Sequence, residues 1–511
     1  MKHIKYIITA FTVLILAASC LDDTSSLDIH TIDEVVIDTT GVSAFSVYQF
    51  DNLIVEPNLS FDGLSEENLS FKWQINIEPN DTLYDLIGTE RNLNYEMKFK
   101  SNVSGEFHQL VYTVTDENSG LDYIMAWPVK VLNNIGEGIV VAETTGNGTS
   151  DISHIMSPEV TTDYDDISVK HQIYSSINGV NIAGVTKQLQ YAKAYGVDVM
   201  FGITDESLYK INTIDYTFGG SNDDLFYASK DTYDPIAIGS VYQGNLYIDN
   251  EGLTSTYLGA SRSFGLPFDS NFTVPSIIAA NPNSNPAVVI SFYDEINEQF
   301  VYQPSITQFG DNTMYSTPAT EAGAFTPSSV TNKINLAAGV STAGEFSHVL
   351  KDKTTGDITL YTFDAGVYVY PSPTPPSPIG MYDLSDAPEI SQANQFVLLN
   401  NQKVLYYATD TKIYAVLYAT GTPIYEERYT VADASEAITT LQVYQQADYP
   451  LRSSGEYLPL NNNALLMSTY DGTEGRVYIL PLINLGVGTI DSANSTVFEG
   501  FNRITAMATQ L

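Results

Sequence analysis

Cysteine is almost missing from this chain: Cys20 is the only one in 511 residues. No disulfide can form within it, so the fold must rest on its cores, and a chain of this length can bury two or more. Basic residues are scarce as well, 22 Lys and Arg against 61 Asp and Glu, for a net charge of −39. So acidic a chain excludes nucleic acid as a partner, because a phosphate backbone calls for a basic face. It also excludes docking on anionic lipid through protein charge. Histidine occurs six times, at 3, 30, 108, 154, 171 and 348, never at metal-ligand spacing, so no zinc site is expected. His108 falls in a predicted strand and reads as a surface residue. There is no Gly-x-Ser-x-Gly elbow and no Gly-Lys-Ser/Thr phosphate loop.

Long apolar runs are missing too, apart from Tyr6–Leu16 behind the basic pair Lys2 and Lys5. That run is too short for a permanent span and has the charge layout of a secretory signal. It leads through Leu16-Ala17-Ala18-Ser19 into Cys20, the arrangement that bacterial lipoprotein processing uses. The thiol takes a diacylglyceryl group and the peptide is cut before it. The leucine stands four positions before Cys20, one earlier than is usual. Residues 1–19 are therefore expected to be a lipoprotein signal peptide, and 20–28 a lipidated tether. Asp22 and Asp23 directly follow the anchor, and a small acidic cluster here resembles the signal that sends Bacteroidetes lipoproteins to the outer face. The expected location is the outer membrane, lipid-anchored and facing outward, with the acyl chains as the anchor.

What is plentiful points to strands. Hydrophobic residues make up 43% of the chain, including 35 Tyr and 22 Phe. With Thr, Val, Ile, Asn, Asp and Gly this composition favours strands and tight turns, so the class is all-β. Over 29–133, Phe71-Lys72-Trp73-Gln74-Ile75 alternates with the period of a half-buried strand. Gly105 to Val114 alternates again, turns at 115–120 and returns as Leu121 to Val131. A central tryptophan facing a Tyr-x-Val strand is the pattern of an Ig-like sandwich.

From 134 to 511 the units recur. Strands carrying Tyr209, Tyr247, Tyr302, Tyr361, Tyr414 and Tyr478 are spaced by 38 to 64 residues. Each follows a turn-rich segment: TDES, YQGN, YDEINE, DKTTGD, ATDT and YDGTEG. Repeats of roughly 40–60 residues with about four strands each are the signature of a β-propeller, here with seven blades, or six or eight. The tyrosines are expected to pack inside or between blades. GIVVAETTGNGTSDISHI at 138–155 fits a first hairpin, and Arg503 to Thr509 is placed to complete the first blade and close the ring. PSPTPPSP at 371–378 reads as a stiff loop between blades, and LQYAKAYGVDVMFG at 189–202 as a short connecting helix.

Chemistry is hard to find. With 61 acids, a carboxylate pair for glycoside cleavage carries no information. The turns at Asp352–Asp357 and Asp471–Gly475 offer oxygens to calcium, yet neither follows the twelve-residue loop with its closing glutamate. Ordinary hairpins are expected there, and no cofactor. Both tryptophans lie in the sandwich, which leaves tyrosine and phenylalanine to stack on any propeller ligand.

FKWQI and GEFHQLVYTVTDENSG resemble the PKD-type variant of the Ig fold. With LDIHTIDEVVIDTT, LIVEPNLS and LSFKWQI, the N-terminal part resembles the PKD-like family of Bacteroidetes lipoproteins. The resemblance implies a surface protein accompanying SusC/SusD-type uptake systems, and it supplies no catalytic residue. The expected function is accordingly binding: capture of a nutrient, glycan or peptide, on a propeller face, or an accessory role in the uptake complex. The alternatives are a glycan-active hydrolase or lyase using funnel carboxylates and a purely structural scaffold.

Overall fold

The computed structural model describes residues 34–511 except 62, 64, 103–104, 193–198, 243, 257–262, 269–270, 306–312, 370–372 and 453–454. Strands dominate it, and two compact units emerge. The first runs through Val47, Asp51–Met97 and Asn102–Val131; the second comprises Tyr48–Phe50, Lys98–Ser101 and Leu132–Leu511.

The first unit is an Ig-like sandwich of the PKD type. One layer is a five-stranded sheet in the order Phe45–Tyr48, Leu121–Leu132, His108–Asp116, Leu69–Asn76, Tyr84–Gly88. Two strand pairs complete it, Val35–Asp38 with Asn58–Phe61 and Asn52–Val55 with Leu93–Glu96. Alternation turns Trp73 and Ile75 inward, both fully buried, and Trp73 stacks on Tyr112 with ring centroids 4.0 Å apart. The indole N–H donates to the Glu90 carbonyl at 2.9 Å, so the ring is fixed at its polar tip as well as its faces. The hairpin turns where the sequence places it, with Asp116 opposite Leu121. His108 is a correction. It shares the inward face of its strand with Leu110 and Tyr112, is 2% exposed, and its Nδ1 sits 2.8 Å from the Asn76 carbonyl oxygen.

The second unit is a β-propeller. Seven antiparallel sheets succeed one another among its described residues. Their innermost strands are Ile504–Gln510, Gln188–Tyr191, Ala237–Val241, Ala279–Ala280, Lys333–Val340, Gln395–Leu398 and Ala437–Val443, in sheets 1 to 7 respectively. Each innermost strand neighbours the next, and that of sheet 7 neighbours that of sheet 1, so the circuit is closed. Closure comes from the C-terminal strand: Ile504–Gln510 pairs with Gly138–Thr144, whose own hairpin partner is Thr149–Met156. The inner edges of the sheets face the axis, where the ring keeps them short and protected from edge pairing.

The repeating tyrosines mark the third strand of five sheets, at Tyr209, Tyr302, Tyr361, Tyr414 and Tyr478. Tyr247 lies in the second of three described strands of sheet 3, which accounts for the short spacing after Tyr209. Five of the six are buried and Tyr478 is half-buried, packed into the clusters between sheets.

Two expectations fail. The segment 189–202 is no helix in its described parts: Gln188–Tyr191 and Val199–Ile203 are paired strands of sheet 2. Cross-strand pairing overrides a locally helical composition. The one α-helix among the described residues, α1, is Ile173–Asn178, closed by Gly179 at φ 72°. The proline-rich stretch joins the third and fourth strands of sheet 5 instead of linking two sheets. Pro378 opens the outermost strand of that sheet, where a missing N–H costs no ladder bond.

Candidate functional site

In each four-stranded sheet the first turn and the third lie at one end of the propeller, and the middle hairpin lies at the other. The connections at the first end gather amide side chains. After the inner strand of sheet 4, Asn281 accepts the Asn283 N–H at 3.0 Å, and the Asn283 Nδ2 donates to the Ser341 carbonyl at 3.1 Å. After that of sheet 5, the Ser341 hydroxyl accepts the N–H groups of Ala343 and Glu345 and folds a tight loop. Gly344 within it takes φ +82°, and a Cβ there would lie 3.1 Å from Ala365 Cβ, in the connection that runs on into the proline-rich stretch. The Thr342 N–H donates to the Asn400 carbonyl at 2.7 Å, tying sheet 5 to sheet 6.

Asn462, at φ 59°, is the hub on the long connection of sheet 7. Its Oδ1 accepts Asn400 Nδ2 at 2.8 Å and Gln445 Nε2 at 3.0 Å, while its carbonyl accepts Asn401 Nδ2. Tyr449 stands beside Asn462 and Asn400; burial pushes its phenol up, and the two amides partly offset that. Tyr457 packs edge-on against Tyr449 at 5.2 Å, and Arg452 caps Tyr457 at 4.8 Å while its Nε binds Asp448 at 2.7 Å. The connection is therefore held from behind by an ion pair, with its aromatic ring presented.

Three cavities with shared walls open among these loops. One of about 360 Å³ lies against the inner strands of sheets 4 to 7, with Asn283, Phe396, Gln442, Gln445 and Tyr449 in its wall. A second, of about 210 Å³, shares Gln442, Val443 and Gln445 and adds Gln190 and Thr509 from sheets 2 and 1. The third, also about 210 Å³, lies between sheets 5 and 6, shares Ser341, Thr342 and Asn400, and adds Asn401, Gln402 and Tyr418. Burial pushes the Tyr418 phenol up to about 12, so it stays a neutral donor at any ordinary pH. Together they form one trough of a size suited to a small ligand. Among the described residues lining the two axial cavities none carries a charge, and Glu345 and Lys403 are the charged residues of the third.

Such a lining can donate and accept hydrogen bonds and offer ring faces. Its described axial residues include no Asp, Glu, His, Lys or Cys. The described residues contain no group of three or more His, Cys, Asp or Glu arranged for a metal. His154 and His348 are fully buried and held neutral, burial driving both down to about 3. The acidic turns are occupied by their own chain: Asp352 Oδ1 accepts the N–H groups of Thr354 and Thr355, and Asp471 Oδ1 accepts those of Thr473 and Glu474.

The sequence-derived site residues Cys20, Asp22 and Asp23 lie outside the described residues. The trough residues were missed by sequence reasoning. Their signal is the recurrence of amides in the connections from inner strands to second strands, at 281–283, 400–402 and 461–463.

Comparison with known proteins returns no match among curated proteins. Among solved structures, the chain is similar to a quinoprotein alcohol dehydrogenase-like protein of Bacteroides thetaiotaomicron, at 10% identity and a TM-score of 0.48, over 94% of this chain and 100% of that one. It is similar to AztD of Citrobacter koseri at 9% identity and a TM-score of 0.37, over 87% of this chain and 99% of that one. PorZ, a surface component of the type-IX secretion system of Porphyromonas gingivalis, follows at 9% identity and a TM-score of 0.29, over 70% of this chain and 52% of its own. By sequence, residues 20–185 match the model of the PKD-like family, a segment that spans the sandwich and runs through the first hairpin strands of propeller sheet 1.

Proposed function

We propose that this protein is a lipid-anchored binding protein of the outer face of the outer membrane, which captures a nutrient at the amide-lined end of its propeller. The observation that carries the reading is the trough itself: a preformed concavity with convergent polar groups and aromatic rings and no catalytic set among its described axial lining. Supporting the anchor, the family match opens at residue 20, the position of the lone cysteine. In this reading Cys20 carries the lipid and Asp22 and Asp23 direct export. The protein then acts as an accessory of a SusC/SusD-type transporter, delivering ligand to it. Cleavage of glycans would call for two carboxylates facing across the site at about 5–10 Å, and the described axial lining provides none.

Protease treatment of intact cells tests the location. Digestion before the outer membrane is opened supports it, and resistance until opening overturns it. Cys20→Ser is expected to move the protein from the membrane to the soluble fraction. Co-purification of the tagged, detergent-extracted protein tests the partner. A recovered transporter pair supports the accessory role, and recovery of the bait alone counts against it.

A further inference from the structure

Among the ion pairs of the described residues, one alone has both side chains less than a tenth exposed: Lys230 at 7% and Asp249 at 3%. Asp249 closes the second strand of sheet 3, Gly244–Asp249, and Lys230 lies in the connection that leads into the inner strand of that sheet. Lys230 Nζ touches Asp249 Oδ2, and Glu251 Oε2 stands 3.1 Å from the same nitrogen. The buried rings of Phe226 and Tyr247 wall the amine in, with centroids 5.3 and 5.5 Å from Nζ. Asp249 Oδ1 accepts the Glu251 backbone N–H at 3.0 Å. Desolvation offsets much of the attraction in a buried ion pair, and a neutral group in the same space is often more stable. Lys333 and Asp352 show the ordinary case. They are 16% and 17% exposed, Asp352 Oδ1 is taken up by Asn332, Thr354 and Thr355, and no second carboxylate pairs with Lys333 among the described residues.

We propose that Lys230 and Asp249 are joined by an intramolecular amide bond, which the folded chain forms itself with Glu251 as the catalytic carboxylate. Glu251 takes a proton from Nζ, and the freed electron pair attacks Asp249 Cγ. The C–N bond forms and the Cγ–Oδ2 bond breaks. Of the three protons on Nζ one remains; the other two pass to Oδ2, relayed by Glu251, and Oδ2 leaves as water. Oδ1 stays as the amide oxygen, and the Glu251 N–H stabilises it as charge builds in the tetrahedral state. A separation of 3.1 Å is within reach for proton transfer, and the fixed neighbours make the attack unimolecular. The step balances without oxidant, metal or co-reactant, and it removes two charges from a buried site. The bond staples the connection between sheets 2 and 3 to sheet 3, in a chain whose single cysteine allows no internal disulfide.

The test is peptide mapping by mass spectrometry on the purified full chain. A branched peptide carrying Lys230 and Asp249 is expected, lighter than its two parts by one water, with no tryptic cleavage after Lys230. Lys333 and Asp352 should stay unlinked in the same digest. Glu251→Gln keeps both partners and alters a side chain that is 55% exposed on a turn, so the variant should fold. It is expected to slow bond formation about a hundredfold or more, read as the linked fraction at matched times after synthesis. Should that variant not fold, the wild-type map still decides whether the bond exists. Separate peptides for Lys230 and Asp249 from the folded wild-type chain overturn the proposal and leave a plain ion pair. A branch that forms at the wild-type rate in Glu251→Gln overturns the catalytic role of Glu251.

Discussion

The two ends of the propeller are built from different polar residues, and they use them differently. At the end carrying the middle hairpins, the carboxylates fold back on their own turns. Asp294 accepts the N–H groups of Ile296 and Asn297, Asp352 those of Thr354 and Thr355, and Asp471 those of Thr473 and Glu474. Nearby cations complete them, Lys333 at Asp352 and Arg476 at Asp471. At the opposite end most of the polar groups that line the axial cavities are amides, and Asn462 links those of sheets 6 and 7. Charge that is satisfied within a turn shapes the chain, while an uncharged amide that lines a cavity, such as Gln442, is available to a ligand. These three carboxylates therefore belong to the hairpins rather than to a site.

The largest effect should come from removing what both ends share. Truncation after Phe501 deletes the strand that pairs with Gly138–Thr144 and with it Gln510, whose Nε2 donates to the carbonyls of Ile135 and Gly136. The ring would open and expose sheet edges. Loss of a cooperative far-UV transition and rapid proteolysis of the propeller are expected. Both tryptophans, Trp73 and Trp127, belong to the first unit, so tryptophan fluorescence reports separately on the sandwich. A truncated chain with an unchanged propeller transition would show that closure contributes little.

Next comes the packing behind the hairpin end. Phe300 is fully buried between sheets 4 and 5, with ring centroids 4.9 Å from Phe363, 5.3 Å from Tyr293 and 5.5 Å from Tyr361. Phe300→Ala is expected to cost about 3–5 kcal/mol, read as a lower urea midpoint. A change below about 1 kcal/mol would mean that the aromatic cluster relaxes into the space.

Much of this architecture was legible beforehand, for identifiable reasons. Strand alternation and turn chemistry are local, so the hairpins and the third-strand tyrosines could be read from spacing. His108 was legible and misread, since its period of two with Leu110 and Tyr112 assigns it to the inward face. The strands at 188–191 and 199–203 were not legible, because their pairing is decided by neighbours along the sheet. The trough was hidden for a further reason. An amide run after a strand signifies a site only once that strand is known to be innermost, and ring position is a tertiary property.

A smaller effect should separate the ends by pH. The backbone N–H groups of Glu474 and Thr473 and the Thr473 hydroxyl hold the Asp471 carboxyl below its ordinary value of 3.8, with Arg476 adding to them; Thr355, Thr354 and Lys333 do the same for Asp352. An acid whose folded value is depressed stabilises the fold above its ordinary value and loses that contribution as pH falls toward the folded one. Wild-type Tm should therefore decline as pH drops below about 4. Asp471→Asn should lower Tm at neutral pH and flatten that decline. An unaltered pH profile in Asp471→Asn would mean that the turn carboxylate is not what ties the hairpin to pH.

The smallest effect on stability should belong to the trough, and its smallness is the informative part. Gln442 is half-buried on the inner strand of sheet 7 and lines both axial cavities. Thr440, on the same strand, is instead tied to the Ser468 hydroxyl at 2.7 Å, a bond within the sheet. Gln442→Ala removes no bond on which the sheets depend, so its Tm should stay near wild type, within the range of about 0.5 kcal/mol typical of such positions. Thr440→Val deletes a bonded hydroxyl and leaves Ser468 with one partner fewer, so it should cost more, about 1 kcal/mol. If ligand capture falls for Gln442→Ala and stability falls for Thr440→Val, neighbouring positions of one strand serve recognition and folding separately. A Gln442→Ala variant that unfolds early would place that glutamine among the groups that hold the ring together, and the contrast between the two ends would lose its meaning there.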